Sequence, residues 1–187
     1  MSSTQSRIND FVLKIATVNG TGSASANGLL MKALFRMGVP VTGKNLFPSN
    51  IQGLPTWYEV RANHQGYMSR CSQVDVMVAM NAQTYQRDLA EVSPGGFLVY
   101  DSTWPREKDL NRHDITVFGV PLSKMCNENF DVARVRILMK NVMYVGVLAA
   151  LLDLDLEIIK QLLQETFASK PKLIEPNLKA IMLGFDY

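Results

Sequence analysis

Cysteine is scarce in this chain of 187 residues: only Cys71 and Cys126 occur, far apart and in no C-x-x-C pair. A typical iron–sulfur cluster needs about four closely spaced thiolates, so this chain cannot supply one. The two thiols read as reduced and mostly buried, as in a cytosolic protein. Histidine is as rare, and His64 and His113 share no motif with each other or with a cysteine, so no metal site is expected. Excess charge is lacking too. Lys+Arg minus Asp+Glu is 19 − 17 = +2, which gives no electrostatic case for nucleic acid. No long hydrophobic run is present. The most apolar stretch, Val142 to Leu152, falls far short of the ~20 residues that cross a bilayer. The polar segment Met1 to Arg7 lacks the apolar stretch of a signal peptide. A cytoplasmic protein without a membrane partner is the expectation. Catalytic motifs are also missing: no G-x-S-x-G, no H-E-x-x-H and no P-loop appears. Asp75, Asp101 and Glu128 are scattered carboxylates. Asp101 follows a strand, where an acid more often caps a turn than does chemistry.

What is present is globular, with 47% hydrophobic and 19% charged residues. Phe11 to Val18 is a strand pattern, apolar and rich in β-branched residues. A short loop, Asn19 to Ser25, leads to a helix over Ala26 to Met37. Leu29, Leu30, Ala33, Leu34 and Met37 form its apolar face. Gly38 stops this helix and Pro40 prevents its continuation. Val39 to Leu46 reads as a second strand, so the chain opens on a β–loop–α–β unit. Thr56 to Ala62 alternates like a half-buried strand, and the Asn63 to Gly66 turn predicts a hairpin with Tyr67 to Cys71 returning antiparallel. Val74 to Met80, Phe97 to Tyr100 and Ile115 to Val120 are further strands. A short helix lies over Thr84 to Glu91, and Pro94-Gly95-Gly96 reads as a sharp turn. From Asp131 the pattern is helical to the end, with Asp155 as an N-cap. The fold class is therefore α/β, with a mainly parallel but mixed sheet, a hairpin insertion and a helical C-terminal third. Residues 1–10 read as a flexible tail and 11–187 as one domain. The apolar helical pattern running up to Tyr187 is that expected of a piece of a larger polypeptide or complex.

Gly20-Thr21-Gly22-Ser23-Ala24-Ser25 fits G-x-G-x-x-small between a strand and a helix. Glycine permits a tight turn and close approach to a ligand, and a helix N-terminus favours an anion. Thr21, Ser23 and Ser25 add hydroxyls. A nicotinamide dinucleotide site would also carry an acid near the end of strand two. None lies between Val39 and Phe47, where Lys44 stands instead. That disfavours NAD and leaves two readings open: a site for another phosphate-bearing ligand, to which Lys44 adds charge, or a turn that packs strand to helix or touches another subunit. The loop from Phe47 to Tyr58 combines prolines, amides and aromatics, as interfaces often do. Pro48, Ser49, Asn50, Gln52, Gly53, Trp57 and Tyr58 are its candidate interface or ligand residues.

These residues together resemble a family. IATVNGTGSASANGLLMKALFRMGVPV, then NLFPSNIQGLPTWYEVR, then DVMVAMNAQTYQRDLAEVSPGGFLVYDSTWP, look like the gamma module of 2-oxoacid:acceptor oxidoreductases. NVMYVGVLAALLDL and NLKAIMLGFDY also fit. The resemblance runs roughly from residue 10 to residue 187. It is nearest the subgroup in which gamma is fused ahead of alpha, often in 2-oxoglutarate:ferredoxin oxidoreductases. Two elements depart from the wider family. Ser23-Ala24-Ser25 stands where many gamma modules continue G-x-G-G-Q-G, and Gln52-Gly53-Leu54-Pro55 replaces an Arg-Gly-Gly element. The resemblance implies a Rossmann-like three-layer domain. It also implies alpha and beta modules as partners and ferredoxin as the acceptor of the complex. Thiamine diphosphate, magnesium and iron–sulfur clusters would belong to those partner modules. Coenzyme A is the one ligand this chain is expected to help receive, on Gly20 to Ser25 with Lys44. Alone, the chain is expected to be inactive. A stand-alone nucleotide-binding oxidoreductase and a ligand-free assembly domain are the competing readings.

Overall fold

A computed structural model describes residues 9–47, 51–104 and 111–187. It contains a six-stranded sheet flanked by helices on both faces. The strands are β1 (Asp10–Val18), β2 (Val41–Leu46), β3 (Pro55–Asn63), β4 (Val74–Ala79), β5 (Val92–Asp101) and β6 (Thr116–Val120). The helices are α1 (Ser23–Arg36), α2 (Tyr85–Glu91), α3 (Leu122–Asn129), α4 (Ala133–Leu151), α5 (Leu156–Thr166) and α6 (Ile174–Phe185). Strand order is β2-β3-β1-β4-β5-β6. β1, β4, β5 and β6 run parallel, and β3 is antiparallel to both its neighbours. The main core joins the sheet to α1, α3, α4, α5 and α6, and a smaller core joins β4 and β5 to α2.

The α/β class, the mixed sheet and the helical C-terminal third stand as the sequence predicts. The hairpin differs. It is formed by β2 and β3, paired from Val41↔Ala62 to Leu46↔Trp57, and Tyr67 to Cys71 forms no strand. β3 thus slides between β1 and β2 and is buried on both faces, not half-buried. Its two charged residues, Glu59 and Arg61, face protein and not water because each has an ion partner. Arg70 donates to both Glu59 oxygens at 2.7 and 2.8 Å, and Arg61 pairs with Asp10 at 2.5 Å. The Pro94-Gly95-Gly96 turn is also absorbed. β5 begins directly after α2, and the pairing with β4 slips between Val74 and Val76. Helix α3 has no counterpart in the sequence reading. Its cap comes from far away: the Ser123 backbone N–H and hydroxyl both donate to Asp101. Asp101 is therefore a cap, held also by Lys140 at 3.8 Å.

Behind β3 lies a buried acid. Trp57 Nε1 donates to Asp88 Oδ1 at 2.8 Å, and Thr84 Oγ1 donates to Oδ2 at 2.6 Å. Burial pushes the Asp88 carboxyl above its usual range, against the two hydrogen bonds. Nearby Glu91 shifts the other way. Burial alone would raise it, but hydrogen bonds from Lys14 and Arg87 hold it below the usual range. A raised folded-state pKa means that folded Asp88 holds its proton more tightly than unfolded Asp88. This group's contribution to stability therefore falls as pH climbs from the unfolded to the folded pKa. Asp88→Asn removes that loss and keeps the amide oxygen for Trp57. Thermal unfolding should show the variant gaining on the parent as pH rises above the ordinary Asp value of about 3.9. A difference that stays flat with pH would contradict this.

Candidate functional site

In open α/β sheets ligands bind where neighbouring crossover helices leave on opposite faces, outside the carboxyl ends of the strands. Here that point lies between β1 and β4, followed by α1 on one face and α2 on the other. The loop after β1 is the glycine loop. Gly20 and Gly22 have φ of +86° and +84°, values that L side chains seldom adopt. Gly22 is the N-cap of α1, and among the described residues no side chain caps the helix. Gly22, Ala24 and Ser25 are exposed, and the first turn carries no acid. First-turn amides have no acceptor within a helix, so this end is open to an anion.

The other hydroxyls of the loop are already engaged. Thr21 Oγ1 donates to the Val18 carbonyl at 2.7 Å, and Thr17 donates to Ser23 Oγ at 3.0 Å. Ser25 has no such tie among the described residues. On the carboxyl end of β4, Asn81 fills the crevice floor and donates to the Thr17 carbonyl at 3.3 Å.

Two further elements hold the loop from outside. Helix α4 supplies Asn141, whose Nδ2 donates to the Thr21 carbonyl at 2.7 Å. It also supplies Leu138, so close that a Cβ on Gly22 would lie 2.5 Å from its Cδ2. Residues 51–54 are strapped to Asn19. The Asn19 N–H donates to the Leu54 carbonyl at 2.9 Å, Gly53 N–H donates back to the Asn19 carbonyl at 3.0 Å, and Asn19 Nδ2 donates to the Ile51 carbonyl at 3.2 Å. This sets Gln52 over Gly20, where a Cβ would meet Gln52 Cγ at 2.6 Å. The candidate ligand loop and the Gln52-Gly53 part of the candidate interface are thus one surface. Asn19, Leu138 and Asn141 are missing from the sequence-based candidates. Leu138 stood there only within a helical pattern and Asn141 only as the first residue of NVMYVGVLAALLDL, and nothing local ties them to residues 20–22.

The remaining candidates are placed elsewhere. Lys44 lies directly opposite Glu59, so it shares the sheet face with Trp57 and α2. Helix α1 packs on the other face, and Lys44 does not join the glycine loop. Trp57 and Tyr58 point inward. The Trp57 ring lies under the Arg87 guanidinium at 4.7 Å, and the Tyr58 hydroxyl donates to Met31 Sδ at 3.2 Å, its pKa raised by burial. Pro48, Ser49 and Asn50 lie outside the described residues. A small cavity of about 40 Å³ opens beside the loop, walled by Asn19, Ser23, Ala24, Asn45, Phe47 and Thr56 among others.

Among the described residues no three His, Cys, Asp or Glu side chains gather as a metal site. Cys126 is buried, which pushes its thiol up to about 11, whereas Cys71 is exposed, so the expectation of two mostly buried thiols holds for one of them. No helix of the described residues is long and apolar enough to cross a membrane.

The family described as pyruvate ferredoxin/flavodoxin oxidoreductase matches residues 12–187. Subunit alpha of 2-oxoacid:ferredoxin oxidoreductase 2 from Aeropyrum pernix is 25% identical over 219 residues, an alignment covering 95% of this chain and 34% of that subunit. The chain thus spans about a third of that relative's length. A structure of 2-oxoglutarate:ferredoxin oxidoreductase from Magnetococcus marinus, with 2-oxoglutarate, coenzyme A and succinyl-CoA bound, superposes with a TM-score of 0.83 at 25% identity. That match covers 95% of this chain and 31% of the other. Pyruvate oxidoreductase subunit PORC from Thermotoga maritima superposes with a TM-score of 0.77 over 96% of this chain and 97% of its own. At 17% identity that likeness speaks for the fold alone.

Proposed function

The chain belongs to the pyruvate ferredoxin/flavodoxin oxidoreductase family, and from that premise we propose that it is the gamma-type module of a 2-oxoacid:ferredoxin oxidoreductase, with 2-oxoglutarate the favoured substrate. In this reading residues 11–187 form one domain of a larger cytoplasmic polypeptide or complex, docked on alpha and beta modules. Thiamine diphosphate and iron–sulfur clusters on those modules supply decarboxylation and electron transfer to ferredoxin. This chain's own part is to offer a binding surface for coenzyme A. The observation that carries this is the uncapped N-terminus of α1 at the switch point of the sheet. Its first-turn amides and the free Ser25 hydroxyl suit a phosphate oxygen. A helix N-terminus stabilises a nearby anion by about 0.3–1 kcal/mol. That is too little for tight binding, so the partner modules supply the rest.

One observation favours a second reading, a ligand-free assembly domain. Leu138 and Gln52 already occupy the space that both glycines leave open. The experiment that separates the two is reconstitution with thiamine-binding modules. The chain alone should show no visible chromophore and no 2-oxoglutarate-dependent viologen reduction, while the assembly should turn over and require coenzyme A. Hydrogen exchange at residues 51–58 should slow in the assembly. Addition of coenzyme A should slow it further at residues 20–25. Turnover by the chain alone would sink the proposal. Protection of 51–58 with no response of 20–25 to coenzyme A would leave the assembly role only.

A further inference from the structure

We propose that the cavity beside the glycine loop is a second subsite, taking an uncharged hydrogen-bonding group carried next to the anion on the same ligand. The inference rests on the reading of the loop as an anion site. Thr56 carries the argument. It lines the cavity, it is 8% exposed, and its hydroxyl has no hydrogen-bond partner among the described residues. The residue is nearly buried, yet its hydroxyl stays open to the cavity, so a group that enters there meets an unengaged hydrogen-bonding partner. Its neighbours are bonded to one another or to α4 and not to it. Thr17, its register partner on β1, spends its hydroxyl on Ser23. The Asn27 side-chain oxygen accepts from the Tyr144 hydroxyl at 2.7 Å. Asn45, another lining residue, has a side-chain amide with no bond among the described residues.

The lining decides the class of ligand group. Among the described residues no charged side chain faces the cavity, so a phosphate gains nothing there that the open end of α1 does not offer. A volume of about 40 Å³ exceeds the space one water needs and falls short of an aromatic ring. Thr56 and Asn45 together can give and accept hydrogen bonds. Phe47, 49% exposed, adds an apolar edge to the rim. The fitting group is an amide or an amino edge of a base. On a ligand that also bears phosphate it comes either from a pantetheine arm or from a purine.

Nuclear magnetic resonance titration of the full chain reads this even when binding is weak. The probes are pyrophosphate, 4′-phosphopantetheine, adenosine 3′,5′-bisphosphate, and uncharged pantetheine and adenosine. Pyrophosphate should move the amides of Ser23 to Ser25 alone. One of the two phosphorylated fragments should also move the Thr56 amide and the Asn45 side chain, and bind about fivefold more tightly than pyrophosphate, the worth of one hydrogen bond. The fragment that gains identifies the source. Thr56→Val should erase the gain, Thr56→Ser should restore it, and neither should alter pyrophosphate binding. If Thr56→Val fails to fold, Asn45→Ala on the exposed edge strand makes the same comparison. Fragments that bind no better than pyrophosphate and leave Thr56 unmoved would overturn the subsite, as a cavity that holds only water, while sparing the anion site. No response of Ser23 to Ser25 to any phosphate, with Thr56 still moved by an uncharged probe, would spare the subsite and overturn the anion site. Silence at both places overturns both.

Discussion

Replacing Ser25 with Glu should raise the coenzyme A Michaelis constant of the assembled enzyme about tenfold or more while leaving the folded chain slightly more stable. The two signs differ for a physical reason. Ser25 is the third residue of α1, in a first turn that holds no acid. A carboxylate there complements the helix dipole and adds about 0.3–1 kcal/mol of stability. The same carboxylate sits where the phosphate of the ligand is proposed to lie. Two like charges 4 Å apart repel by about 4 kcal/mol at an effective dielectric near 20. Solvent and rotation of an exposed side chain reduce this, but a residue of about 1.4 kcal/mol is already tenfold. Ser25→Gln is the uncharged control of equal size and should change the constant little. A Michaelis constant that Glu leaves untouched would mean that the loop is only a turn. Gly22→Val is a poorer probe. The new side chain would be strained at a φ of +84° and would strike Leu138, so loss of function would not distinguish a blocked ligand from a displaced loop.

Gly146→Ala should destabilise the chain by about 3 kcal/mol or more, and a larger residue there should prevent folding. Helices α4 and α6 meet backbone to backbone. A Cβ on Gly146 would lie 2.0 Å from the Ile181 carbonyl oxygen, and one on Gly184 would lie 2.1 Å from the Met143 carbonyl oxygen. Neither obstacle is a flexible side-chain end, so the helices would have to separate. Met143 and Ile181, both fully buried and both in contact across this junction, would then lose their packing. Helix propensity pulls the other way, since Ala exceeds Gly by about 1 kcal/mol in a helix interior. Gly28 separates the two effects. It lies within α1 with nothing within 4 Å of its absent Cβ. Gly28→Ala should therefore raise stability by up to about 1 kcal/mol. Urea unfolding of the two variants should give opposite signs. A Gly146→Ala protein as stable as the parent would show that the two helices are not locked at these glycines.

By itself the sequence determined the elements whose signals are local. β1, the glycine loop and α1 are written in consecutive residues, because strand alternation, positive-φ glycines and helical spacing each act over one or two turns of chain. The same holds for β4, β6 and the apolar face of α4. Family membership was legible for the same reason, since it rests on those contiguous runs. The tertiary structure decided what depends on partners distant in sequence. β3 lies between β2 and β1 because Arg70 and Asp10 neutralise its polar face, and no local pattern separates that from a solvent face. Helix α3 has no local signal because its cap, Asp101, stands 22 residues before Ser123. The side of the sheet that Lys44 takes follows from its register with Glu59. Trp57 and Tyr58, candidates for an interface by composition, were drawn inward by Asp88 and Met31. The clamp on the glycine loop was the least legible of all, because Asn141 reaches Thr21 across 120 positions. Only packing of α4 against α1 brings those two residues together.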